Sequence, residues 1–115
     1  MVVIFGVSRG LGYSLVNSYL SLNVNVIGVG RRNTIIHPFY RFLRKDLSQT
    51  NSWDELLDML PKEIDDLTLI YNAGDLGEVG PIQSIRFNNQ KLFQLNFFSW
   101  VEVVQVLLNE RDRFL

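Results

Sequence analysis

The sequence predicts an α/β chain, a truncated three-layer sandwich in which helices cover both faces of a parallel sheet of strand order 3-2-1-4. Three observations carry that prediction. The apolar run Val2-Val3-Ile4-Phe5 passes directly into Gly6-Val7-Ser8-Arg9-Gly10-Leu11-Gly12 and then into a helical stretch, so a strand, a glycine turn and a helix follow in one line. Three further short β-rich runs recur at intervals, with helical patterns after the second and third of them. At 115 residues and 13.3 kDa the chain makes one domain, residues 1–115, shorter than the usual two-half fold of this architecture.

Val2 to Phe5 reads as a buried strand. Leu11 to Leu22 follows as a helix whose apolar face is expected at Leu11, Leu15, Val16, Tyr19, Leu20 and Leu22. Val24 to Val29 is the second strand, and the pair forms a right-handed βαβ unit. Arg31 to Pro38 is short for a second crossover, so the helix there is expected to be lost or one turn long before a strand at Phe39 to Leu43. Ser52 and Glu55 fit a capping box for a helix carrying Trp53, Leu56, Leu57 and Leu60 and stopped near Pro61. Leu67 to Tyr71 is the fourth strand, and Asn72 to Phe87 is a loop with Gly74, Gly77, Gly80 and Pro81. A helix over 89–110 is so apolar, from Leu92 to Leu108, that it predicts burial nearly all round. One sheet cannot supply that cover, so a homodimer or larger homo-oligomer through this helix is expected.

Composition narrows the function. A net charge of -1 argues against general nucleic-acid binding. No apolar run approaches the roughly 20 residues of a membrane span, and the start lacks a signal-peptide pattern, so a cytoplasmic protein is expected. With no cysteine and one histidine, thiolate metal sites and cysteine or Ser-His nucleophiles lose their material. The acidic residues Asp54, Glu55, Asp58, Glu63, Asp65 and Asp66 read as a solvated face and no metal site is assigned. Arg41, Arg44 and Lys45 read as guards of a strand edge.

The glycine turn is the first functional signal. Gly6 permits a tight turn, Gly10 leaves room for a diphosphate, and Gly12 allows close packing of the helix, so backbone N–H groups and a helix N-terminus can close on an anion. The alternative is a plain strand-to-helix turn. Gly6-x-x-x-Gly10-x-Gly12 after the first strand, Asp46-Leu47 after the third, Asn72-Ala73-Gly74 after the fourth and Asn96 in the next helix occur in one order, and together they resemble the short-chain dehydrogenase/reductase family. The resemblance covers roughly residues 2 to 108 and implies a Rossmann-type domain for a nicotinamide dinucleotide. It implies cofactor contacts at Gly6, Ser8, Arg9, Gly10, Leu11, Gly12, Arg31, Arg32, Asp46, Leu47, Asn72, Ala73 and Gly74. Asp46 is implied to lie near the adenine, with a solvated turn or cap residue as its alternative. The family usually carries Thr before the first glycine, where this chain has Phe5.

The second strand ends Gly30-Arg31-Arg32 without the acidic residue that accepts from both ribose hydroxyls in an NAD site, which points to NADP(H). Arg31 and Arg32, with Arg9, can hold a 2′-phosphate by charge-assisted bonds. Ordinary surface arginines are the alternative. The family's chemistry rests on a Tyr-x-x-x-Lys pair that protonates the substrate oxygen, and none of Tyr13, Tyr19, Tyr40 and Tyr71 has lysine four residues on. Asn96 matches a catalytic relay asparagine and is expected to persist as a structural relic. The expectation is a dinucleotide-binding domain inactive as an isolated chain. The alternatives are an oxidoreductase completed by another chain and a non-catalytic oligomeric module without cofactor.

Overall fold

The computed structural model describes residues 1–75, 80, 81, 83 and 89–110. Four parallel strands, β1 (Val2–Phe5), β2 (Val26–Gly30), β3 (Tyr40–Arg44) and β4 (Thr68–Tyr71), form one sheet of order β3-β2-β1-β4, as the sequence predicts. The register runs Val2, Val3, Ile4 and Phe5 against Val26, Ile27, Gly28 and Val29 on one side and against Thr68, Leu69, Ile70 and Tyr71 on the other. β1 and β2 are buried throughout, the consequence of helices on both faces.

Alternation along β1 sorts its side chains into two cores. Val2 and Ile4 join Val7, Val16, Leu20, Val26 and Tyr40 under helix α1 (Gly10–Ser21). Val3 and Phe5 join Ile27, Val29, Leu43, Trp53, Leu56, Val103 and Leu107 on the other face, beneath helices α2 (Asp54–Met59) and α4 (Ser99–Asn109). The buried stripe of α1 is Gly12, Val16 and Leu20, spaced i, i+4, i+8. That corrects the expected face at both ends, because Leu11 is 64% and Leu22 72% exposed. The helix stops where Asn23 turns left-handed at φ 58°, a conformation asparagine tolerates, and Asn23 N–H donates to Leu20 O.

The link between β2 and β3 carries no helix, one of the two outcomes expected for so short a crossover; Asn33 Oδ1 accepts from Ile35 N–H in a local turn, and Ile36 is fully exposed. Two helical expectations change more. The capping box of α2 does not form, since Ser52 Oγ meets only Asp54 N–H at 3.4 Å and Glu55 turns instead to Lys45. The long helix is α3 (Asn89–Phe93), a π-helical segment (Gln94–Phe98) and α4 in series. As expected of a helix that one sheet cannot cover, only part of it is buried within this chain: Ser99, Val103 and Leu107 are buried, whereas Phe93, Phe97, Phe98 and Leu108 are exposed. A single sheet face touches only one stripe of a helix. Gly77, Phe87 and residues 111–115 of the predicted loop and terminus lie outside the described residues.

Candidate functional site

The glycine turn leaves β1 at the C-terminal end of the sheet, where β1 separates β2 and β4 and strand order reverses. That is the position at which open parallel sheets form a ligand crevice. Gly6 N–H donates to Val29 O and Asn72 N–H to Phe5 O, so the turn and the β4 loop leave the sheet side by side. Asn72 Nδ2 then donates to Gly6 O at 3.2 Å, bracing the turn from the neighbouring strand. Gly10, the first residue of α1, sits at φ +64° with open space where a side chain would begin. Arg9 precedes it as an extended N-cap whose side chain makes no capping bond. The first N–H groups of the helix are thus left to an external acceptor.

A cleft of about 480 Å³ opens here, within the range of small-molecule sites. Of the residues expected to contact cofactor, Gly6, Ser8, Arg9, Arg31, Asp46, Leu47, Asn72, Ala73 and Gly74 line it. Gly10, Leu11, Gly12 and Arg32 do not line it. Ser8 has a second task, because its hydroxyl both donates to Arg32 O and accepts from Arg32 N–H at 3.3 Å, stapling the glycine turn to the loop that carries Arg31. Phe5 points away from the cleft into the core.

Asp46 lines the cleft within reach of the Arg31 charge. Its Oδ1 accepts from the Ser48 hydroxyl at 2.6 Å and from Ser48 N–H at 3.0 Å, and these bonds, helped by the charges of Arg31 and Lys91, hold its carboxyl below the usual aspartate range. Leu47 O accepts from the buried Ser99 hydroxyl at 2.7 Å, which ties this wall to α4. The opposite lip is tied to the same helical rod: Asn96 Oδ1 accepts from Asp75 N–H and Asn96 Nδ2 donates to Asp75 O, both at 2.8 Å. Asn96 lies in the π-helical segment, where Tyr71 Oη also donates to Leu95 O. Burial pushes the Tyr71 hydroxyl up to about 12, so it acts as a neutral donor in this brace.

Gly30, Lys45, Ser48, Asp75, Lys91, Leu92 and Leu95 complete the lining and were not singled out from the sequence as site residues. Lys45 carried a signal in its place directly before Asp46. Lys91, Leu92 and Leu95 carried one in their i, i+1, i+4 spacing, which reads equally as core. Four cationic side chains, Arg9, Arg31, Lys45 and Lys91, stand against two carboxylates, Asp46 and Asp75, so the cleft favours an anion. The acidic residues around α2 are exposed, and no group of three or more His, Cys, Asp or Glu side chains among the described residues is arranged to hold a metal. Among the described residues no helix is long and apolar enough to cross a membrane.

Comparison with known proteins agrees with this architecture. The chain is 29% identical to an uncharacterized oxidoreductase of Saccharomyces cerevisiae over 96% of its own length and 48% of the relative's. It superposes with a TM-score of 0.75, at 25% identity, on a short chain dehydrogenase family protein from Francisella tularensis, covering 95% of this chain and 45% of that one. The closed form of a serine dehydrogenase complexed with NADP+ shares the fold, with a TM-score of 0.77 at 19% identity over 96% of this chain and 49% of that one. The chain thus spans just under half the length of the curated relatives it matches. The short chain dehydrogenase profile matches residues 1–113, and with the glycine turn, Asp46, Asn72-Ala73-Gly74 and Asn96 gathered at one sheet end, the chain belongs to the short-chain dehydrogenase family.

Proposed function

We propose that this chain binds NADP(H) in the cleft at the C-terminal end of its sheet, with the diphosphate over the glycine turn and the 2′-phosphate toward Arg31 and Arg9. The observation that supports this most is that Arg9 and Arg31 both line the cleft while the β2 loop carries no carboxylate to receive a ribose 2′-hydroxyl. The donor set fits the group: bare amides at a helix N-terminus suit the diphosphate, and planar guanidiniums suit a phosphate monoester. Arg32 is exposed beside Arg31 and reaches outward from the same loop. Bound NADP(H) supplies hydride chemistry; the residues of this chain bind and orient it.

The test is a titration of NADPH and NADH by their own fluorescence. Arg31→Ala is expected to weaken NADPH about 10- to 100-fold, the worth of one charged hydrogen bond of about 1.5–3 kcal/mol, and to leave NADH within about twofold. Binding of neither dinucleotide at millimolar concentration, or equal weakening of both, overturns the reading. Lacking a Tyr-x-x-x-Lys pair in its own sequence, the chain by itself is read as binding without carbonyl reduction.

A second reading concerns assembly and rests on the exposed Phe93, Phe97, Phe98 and Leu108. We infer a homodimer through residues 89–110, since each large apolar side chain gains about 1.5–3 kcal/mol on full burial. Light scattering is expected to give twice the 13.3 kDa chain mass, and Phe97→Glu with Phe98→Glu to halve it. A monomeric wild-type chain at micromolar concentration refutes the inference.

A further inference from the structure

Lys45 stands where β3 meets the cleft wall. Its backbone N–H donates to Gly30 O at 2.9 Å, so its stem starts beside the loop that carries Arg31, and it lines the same cleft as Arg9 and Arg31. Its ammonium lies 3.1 Å from Glu55 Oε1 on α2. The two partners differ sharply in setting: the Lys45 side chain is 14% exposed and that of Glu55 69%. A lysine side chain so largely covered has few other places for its charge to go, whereas a carboxylate so well solvated loses little by turning away. Glu55 is also drawn from the capping-box role its sequence predicts, and the N-cap residue of α2, Trp53, makes no side-chain capping bond.

We propose that Lys45 is a specificity-determining cation for the 2′-phosphate of NADP(H), and that Glu55 is the resident counter-ion which this phosphate displaces. The inference rests on the NADP(H) reading of the cleft and adds to it a charge from a strand other than the one carrying Arg31. A ribose 2′-phosphate is close to a dianion at neutral pH and offers three acceptor oxygens. It therefore outcompetes one screened, solvent-facing carboxylate for a single ammonium. NADH presents only a hydroxyl at that position and leaves the Lys45–Glu55 pair intact.

The experiment measures dissociation constants of NADPH and NADH for the full chain and for Lys45→Met, Lys45→Arg, Glu55→Gln and Arg31→Ala, with thermal melts to establish folding. Lys45→Met is expected to weaken NADPH about tenfold with NADH within about twofold, and Lys45→Arg to restore most of the loss. Glu55→Gln is expected to tighten NADPH severalfold and leave NADH unchanged, because the phosphate no longer competes with a charge. Equal effects of Lys45→Met on both dinucleotides, or weaker NADPH binding by Glu55→Gln, overturn the proposal. If Arg31→Ala weakens NADPH selectively while Lys45→Met does not, this proposal alone fails. If wild type binds neither dinucleotide, the reading of the cleft fails and takes this one with it.

Discussion

Phe5→Thr is expected to cost the fold about 3–5 kcal/mol, seen as a lower urea midpoint at unchanged slope, although threonine is the residue the family usually carries there. The reason lies in what the side chain touches. Phe5 is fully buried, with ring centroids 5.9 Å from Trp53, 5.6 Å from Tyr71 and 6.2 Å from Trp100. Those three rings come from the start of α2, from β4 and from α4, so Phe5 is the point at which the second core is joined across three elements. Truncation removes most of a ring's contacts and leaves a cavity that a close-packed interior fills only in part. The introduced hydroxyl would also need a partner in an apolar cluster. The brace that a threonine hydroxyl could give the glycine turn is supplied here by Asn72 Nδ2 on Gly6 O. An unchanged midpoint would show that the aromatic cluster does not hold the sheet to its helices.

Gly12→Ala is expected to be comparably severe, with a melting temperature lower by more than about 10 °C. A Cβ at Gly12 would stand 1.8 Å from Gly6 O and 2.9 Å from both Gly6 C and Asn72 Nδ2. The principal obstacle is main chain, which cannot rotate aside as a flexible side chain does, so either α1 lifts from the sheet or the turn opens. Overpacking of this kind costs about 1–3 kcal/mol in ordinary cores, and a backbone-on-backbone clash belongs at the top of that range or above it. Gly10→Ala serves as the comparison: its Cβ meets nothing within 4 Å, and only the left-handed φ of +64° penalises it, by about 1–2 kcal/mol. A Gly12→Ala protein as stable as Gly10→Ala would disprove the close approach of helix and turn.

The parts of the fold legible in the sequence are those whose signal is local. Val2 to Phe5 is apolar because both faces of β1 are covered, and the glycines that follow are demanded by backbone passing backbone; both facts sit within a dozen residues. The Asn72-Ala73-Gly74 wall and Asp46 were legible through their order along the chain. What could not be read depends on partners far away in sequence. Glu55 forsakes the helix start that Ser52 advertises because Lys45, ten residues earlier, is brought beside it by β3. The π-helical segment interrupts a pattern that looks uniformly helical, and Tyr71 Oη, 24 residues earlier, takes up the Leu95 carbonyl there. Leu11 and Leu22 looked like core because a one-dimensional pattern counts apolar residues without knowing where the sheet surface ends.

Asn96 and Ser99 are three positions apart on one continuous helical rod, yet one grips the Asp75 lip of the cleft and the other the Leu47 wall. The two jaws therefore share an axle. Neither can swing without dragging the rod or breaking its own bond to it. Phe97 and Phe98 fill the interval between the two grips and look outward. Whatever covers those rings therefore packs on the same axle from which both jaws are held.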